Sequence, residues 1–489
     1  MFHRLKLSVA VLALMSGAAL AQDSITIGMQ LEPPNLDPTS GAAAAIREIT
    51  QINIYEGLTR FNADGSIGPA LAASWDVTED GKVWTFNLHE GVKFHDGTDM
   101  DAEDVKFSLD RARAPDSTNA QKQLFAPIES VDVVDAKTVK ITLKAPSGNF
   151  DFNMAWGDAS IMAPESVATN ATNPIGTGPF KLAQWVQGDR VDLVANPDYW
   201  GEKPALKSAT FKFISDPTAA FAAMMSEDID AFPVFPAPET LARFAGDSRF
   251  QILTGSTEGE TILGINNKQP PLDNVKVRAA IAHAINRQEI IDGAMFGYAT
   301  PIGTHFAPHQ PDYLDLTALS AYDPEKSKAL LAEAGVSGLK LRLHLPPPTY
   351  ARRGGEIVAS QLRAVGIETE ITNVEWAQWL EQVFRGKDFD LTIISHVEPA
   401  DINIYAQPDY YFQYGKPEFI AIMDELAVTV DPAKRSELNK AAQTMIAEDY
   451  VNGYLFQLAR AGVAKAGIQG LWENSPAPIY DLGAITWSN

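Results

Sequence analysis

Residues 71–112 read "LAASWDVTEDGKVWTFNLHEGVKFHDGTDMDAEDVKFSLDRA", and a change of apolar period within them sets the fold class. In "VWTFNL" (83–88) apolar and polar residues alternate, which predicts a half-buried strand. After "DGTDMD" the spacing widens to the helical three and four of "AEDVKFSLDRA". His95-Asp96-Gly97 forms the turn between them, with glycine where positive φ is tolerated. Asp99 or Asp101 can cap the helix, Glu103 and Asp104 suit its N-terminal dipole, and Val105, Phe107 and Leu109 face inward. A metal site needs three or four converging ligands and this stretch offers one histidine, so its acids are read as helix-start chemistry.

The same mixture continues outward. Alternation predicts strands at "SITIGM" (24–29), "TVKITL" (138–143) and "LKLRLHL" (339–345). Helical spacing marks "VKVRAAIAHAINRQEIIDGAM" (275–295), "PEKSKALLAEAG" (324–335), "GGEIVASQLRAVG" (354–366) and "PAKRSELNKAAQTMIAED" (432–449). Asp323 and Asp431 each stand just before a proline, the expected cap-then-Pro start. The class is mixed α/β, and 489 residues suffice for two or three lobes with large cores.

The first 21 residues, "MFHRLKLSVAVLALMSGAALA", have the build of a signal peptide: Arg4 and Lys6, an apolar run, then a small-x-small end. That run is short of the ~20 apolar residues a membrane span needs, and no later run is long enough either. Cysteine is absent, so neither disulfides nor a lipid-bearing cysteine are expected. The formal charge of −23 argues against a nucleic-acid partner, whose phosphates it would repel. Neither G-x-S-x-G nor HExxH occurs, which weighs against a secreted hydrolase. "HFAPH" (305–309) sets two histidines four apart, but Pro308 spoils a helical ligand pair, and no metal or cofactor is expected.

An ordered series of segments carries a family resemblance: "NIYEGLTRFNADGSIGPALAASW" (53–75), the opening stretch, "PIGTGPFKLAQWVQGDRVDLVANPDYWGEKPALKSATFKFISDPTAAFAAMMSEDIDAF" (174–232) and "GINNKQPPLDNVKVRAAIAHAINRQEII" (264–291). Together they resemble family 5 of the extracellular solute-binding proteins, which includes the dipeptide- and oligopeptide-binding components of bacterial ABC importers. The resemblance implies a three-lobe binding protein: lobe I over 22–46, 174–258 and 470–489, lobe II over 47–173, lobe III over 259–469. It implies a hinge near Gly255 and Gly470, with ligand enclosed as lobe III closes on lobe I. It also implies a periplasmic, non-catalytic monomer that hands a peptide or other amine-bearing solute to an inner-membrane permease. Relatives taking sugars, opines, nickel or haem are the alternative.

In peptide-binding relatives an Asp late in lobe III pairs with the ligand's α-amine, usually after a Trp. The corresponding segment here is "DLTIISHVEPADINIYAQPDYYF" (390–412). It puts Glu398 at that acid, Asp401 at the next, Ser395 where Trp is common, and His396 beside them. Glu32 follows the first strand and is expected to face the cleft, or else to be a loop acid. Arg352 and Arg353 stand at a strand-to-helix loop where a guanidinium suits a carboxylate, or solvent. Trp379, sharing a helix face with Trp376, and Tyr405, near Tyr410 and Tyr411, are candidates for the pocket wall or for core packing.

Overall fold

The computed structural model describes residues 22–41 and 43–488; the signal-like segment 1–21 lies outside the described residues. The alternating segments form strands with the expected bounds: Ser24–Met29, Val83–Leu88, Thr138–Leu143 and Leu339–Leu345. Asp101 caps the helix Ala102–Arg113, accepting from Glu103 N at 2.8 Å, while Asp104 accepts from Asp101 N at 2.9 Å. Gly97, at φ 93°, closes the preceding turn. The long helix expected over 275–295 is two, Val275–Ala284 and Arg287–Met295, because Asn286 turns its side chain to Glu289 N and starts a new helix.

Three large cores follow from these elements, and a fourth gathers Trp379, Phe389, Tyr405, Tyr411 and Tyr454. One lies between the antiparallel strands Ala72–Val77, Val83–Leu88, Thr138–Leu143 and Ile128–Asp135 and the helix Ala102–Arg113, around Trp84, Phe86, Leu109 and Phe150. A second gathers Ile25, Ile27, Phe180, Leu193 and Phe211. The third gathers Ile281, Leu343, Val358, Leu362 and Ile393. The second and third cores sit on one eleven-stranded sheet. Its path runs Ile367–Asn373, Leu339–Leu345, Leu391–His396, Phe250–Ile265, Gly453–Lys465, Ala231–Phe232, Ser24–Met29, Ser208–Phe213, Arg190–Ala195, Phe180–Val186.

Two long antiparallel strands, Phe250–Ile265 and Gly453–Lys465, join the halves of that sheet, pairing from Phe250↔Lys465 to Leu263↔Gly453. Between Ser256↔Ala459 and Glu260↔Gln457 the register slips, so Thr257, Glu258 and Gly259 form a bulge opposite Leu458. Gly255, one of the two expected crossing points, lies next to this bulge, and a side chain there would meet the Glu473 carbonyl at 2.0 Å. Gly453–Lys465 runs back antiparallel to Phe250–Ile265, and Gly470, at φ 81°, lies beyond its end, against Ala484.

His95 anchors the antiparallel unit to the main sheet. Its Nε2 meets Gly178 O at 2.9 Å, and its backbone N–H donates to Gly176 O at 2.9 Å. Burial holds its pKa down at about 4. An unfolded chain, whose histidine keeps the ordinary value, takes up this proton first, so stability is lost as pH falls from ~6.5 towards ~4. In urea titrations, the wild type is expected to lose about 3 kcal/mol relative to His95→Gln between about pH 7 and about pH 4. A difference that does not change with pH sinks this reading.

Candidate functional site

The bulge places acids where a strand ordinarily buries apolar groups. Glu258 and Glu260 are 5% and 3% exposed. Glu258 accepts from Gln310 Nε2 at 2.5 Å and lies 2.6 Å from His309 Nε2, whose Nδ1 lies 2.6 Å from Ser256 Oγ. Burial raises the Glu258 pKa, against the lowering pull of His309. Burial, followed by the charges of Asp401 and Glu258, drives that of Glu260 well above the carboxylate range. Directly across the sheet from Glu260 stands His396.

His396 ends the strand Leu391–His396, and the loop after it returns Asp401 towards the same spot. His305 Nε2 lies 2.8 Å from Asp401 Oδ1, and His396 Nδ1 lies 3.6 Å from Asp401 Oδ2. Tyr405 OH meets His305 Nδ1 at 3.2 Å, and Tyr411 OH meets His396 Nε2 at 3.1 Å. Desolvation holds His396 down at about 4. For Asp401, burial alone would raise the pKa, but His305 and His396 outweigh it and hold the carboxyl below its ordinary value.

A cavity of about 490 Å³ opens over the strand Gly453–Lys465, between residues 234–239 on one side and residues 294–298 and 349–353 on the other. Phe235 and Glu239 form one wall, Phe296, Tyr350 and Arg353 the other, and Ala459 and Ala461 of the long strand the floor. The Arg353 guanidinium sits 5.2 Å from the centre of the Phe296 ring, a cation–π contact that orients it. The Tyr350 hydroxyl accepts from Ser395 N at 3.2 Å. The loop carrying Glu398 begins two residues after Ser395, and none of its residues lines this cavity.

A sequence profile of the bacterial extracellular solute-binding proteins, family 5, matches residues 66–416. The chain belongs to that family. The dipeptide-binding protein of Escherichia coli K12 is 28% identical over 485 residues, covering 90% of each chain. The glutathione-binding protein GsiB of Salmonella paratyphi A is 32% identical over 373 residues, covering 75% of this chain and 72% of its own. Among solved structures, HbpA2 from Haemophilus parasuis superposes with a TM-score of 0.87 at 25% identity, covering 95% of this chain and all of its own. The fold is thus the mixed α/β fold of these binding proteins, and among the described residues no helix is long and apolar enough to cross a membrane.

Within this solute-binding protein the eight candidate residues go to different places. Asp401, His396 and Tyr405 come together with His305. Arg353 reaches the cavity, and Glu398 is exposed on its loop, its carboxylate accepting from Val397 N at 3.2 Å. Glu32 accepts from Trp185 Nε1 and Gly188 N, both at 3.0 Å, and so ties a neighbouring hairpin. Arg352 pairs with Glu375 at 3.0 Å. Trp379 is 4% exposed, donating to Thr392 Oγ1 at 3.0 Å and packing on Tyr411. The sequence alone singles out neither Glu258 nor Glu260, and Pro308 sets His305 and His309 aside as a pair, although two acids at i and i+2 are a visible anomaly in "TEGETILGI".

Proposed function

We propose that this protein is the periplasmic receptor of an ABC importer and captures small peptides or similar zwitterions between its first and third lobes. The observation that carries this reading is the cavity with Arg353 among its lining residues and Tyr350 beside it, whose hydroxyl is bonded to Ser395 N at the end of the strand that leads to Glu398. The relatives' named solutes, a dipeptide and glutathione, both carry an α-amine and carboxylates. A guanidinium suits the carboxylate end, and an acid shut into a closing cleft suits the ammonium end. Lobe I comprises 22–46, 174–258 and 470–489, lobe II 47–173 and lobe III 259–469. The bulge at Thr257–Gly259 is the hinge, and ligand favours the closed form only through contacts to both lobes. The protein works as a monomer, passes its solute to an inner-membrane permease, and does not turn it over.

The test begins with mass spectrometry of whatever solute leaves the protein on denaturation, followed by a thermal-shift screen of di- and tripeptides and glutathione. A binding solute raises Tm by mass action. With that solute, small-angle scattering is expected to show a smaller radius of gyration, and pure protein to leave the solute intact. Unchanged scattering at saturation, or hydrolysis of the solute, counts against the proposal.

A further inference from the structure

The His305–Asp401–His396 cluster is more than a network of buried hydrogen bonds. His305 Nε2 is within bonding distance of Asp401, but His396 Nδ1 stands 3.6 Å from the other carboxylate oxygen, too far for a hydrogen bond. Donor atoms bound to one tetrahedral zinc ion at about 2.0–2.1 Å stand roughly 3.3 Å apart, close to this spacing. One donor atom from each of the three residues falls within 4.8 Å of the others. Each imidazole has its remote nitrogen on a tyrosine hydroxyl, Tyr405 for His305 and Tyr411 for His396, the outer contact that fixes a ligating ring. Glu260 faces His396 across the sheet, is 3% exposed, and has one carboxylate oxygen without a hydrogen-bond partner.

We propose that His305, His396 and Asp401 bind one divalent first-row transition cation of the zinc type, with Glu260, which lies outside that 4.8 Å group, turning its unpartnered oxygen in as the fourth donor. Two imidazoles and two carboxylates form the nitrogen–oxygen set that such ions favour, whereas calcium and magnesium favour oxygen alone. The two carboxylates balance the ion's charge, any proton they carry being released as it binds, and among the described residues neither acid has a Lys or Arg partner. Glu258, already held by His309 and Gln310, is not part of the set. The bound ion ties the loop after His396 to the long strand Phe250–Ile265, and with it the backbone that carries Glu398.

The test uses full-length mature protein without a histidine tag, stripped with a chelator and titrated with Co²⁺ and then Zn²⁺. One equivalent of Co²⁺ is expected to produce the intense visible bands of a four-coordinate site, and one equivalent of Zn²⁺ to abolish them. His305→Gln and Asp401→Asn are expected to weaken binding by about a hundredfold or more, and Tyr411→Phe by about tenfold or more, as outer-shell losses do. His89→Gln, in the separate antiparallel unit, is expected to bind as the wild type does. If a ligand variant fails to fold, the cobalt spectrum of the wild type still decides. No visible bands at one equivalent, or equal binding by wild type, His305→Gln and Asp401→Asn, overturns the site.

Discussion

Glu398→Gln is expected to weaken capture of an α-amine-bearing solute by roughly thirtyfold or more. The carboxylate is exposed on the loop after Leu391–His396 and, among the described residues, accepts a hydrogen bond only from the neighbouring Val397 N. In the proposed closure of lobe III, water leaves and an ammonium group beside the carboxylate becomes one half of a buried pair. Removing the charge while keeping the shape strands the other half, a loss of about 2–5 kcal/mol in such pairs, and each ~1.4 kcal/mol is tenfold in affinity. Folding is unaffected, because the residue lies on a loop and packs into no core. Calorimetry with the identified solute, alongside melting curves without it, reads both quantities. Binding within about threefold of wild type makes Glu398 a bystander and removes the amine half of the proposed recognition.

Arg47→Met is expected to cost about 3–5 kcal/mol of folding stability. Arg47, in the helix Ala44–Thr50, meets Asp158 at 3.2 Å with side chains 5% and 0% exposed. Burial already raises the Asp158 pKa against the pull of Arg47, and without the guanidinium the carboxylate must stay charged in a dry site or take up a proton. Arg47→Met combined with Asp158→Asn removes the stranded charge and is expected to recover most of the loss. Urea denaturation of the three proteins measures this. A single variant within about 1 kcal/mol of wild type, or a double variant no better than the single, refutes the account.

The scaffold was legible because its strands and helices announce themselves locally. Alternation in "VWTFNL" and "LKLRLHL" depends only on which face is buried, and Asp323 and Asp431 cap helices through neighbours three residues away. The site depends on distant pairing. His305 and His309 were weighed as a pair on one helix. The fold sends them to different partners, His305 to Asp401 and His309 to Glu258. Glu32 and Trp379 had the right chemistry for a cleft, but Trp185 and Thr392 satisfy them elsewhere. No spacing rule reports where a polar atom finds its partner. Glu260 was hidden for the opposite reason: a bulge turns it inward, and the register slip behind that bulge is set by Gln457, nearly two hundred residues away.

The order of strands in the main sheet has a consequence for how the chain is made. Gly453–Lys465 lies within that sheet, between Phe250–Ile265 and Ala231–Phe232, yet it is synthesised after every other strand of the sheet. Until then the two halves of the sheet have no common strand, and each presents a bare edge of unpaired amides. A nascent chain in that condition cannot finish its tertiary structure, whereas the antiparallel unit around Trp84 already has all its strands. Synthesis therefore yields one finished block and two waiting half-sheets, and a single late strand brings them together.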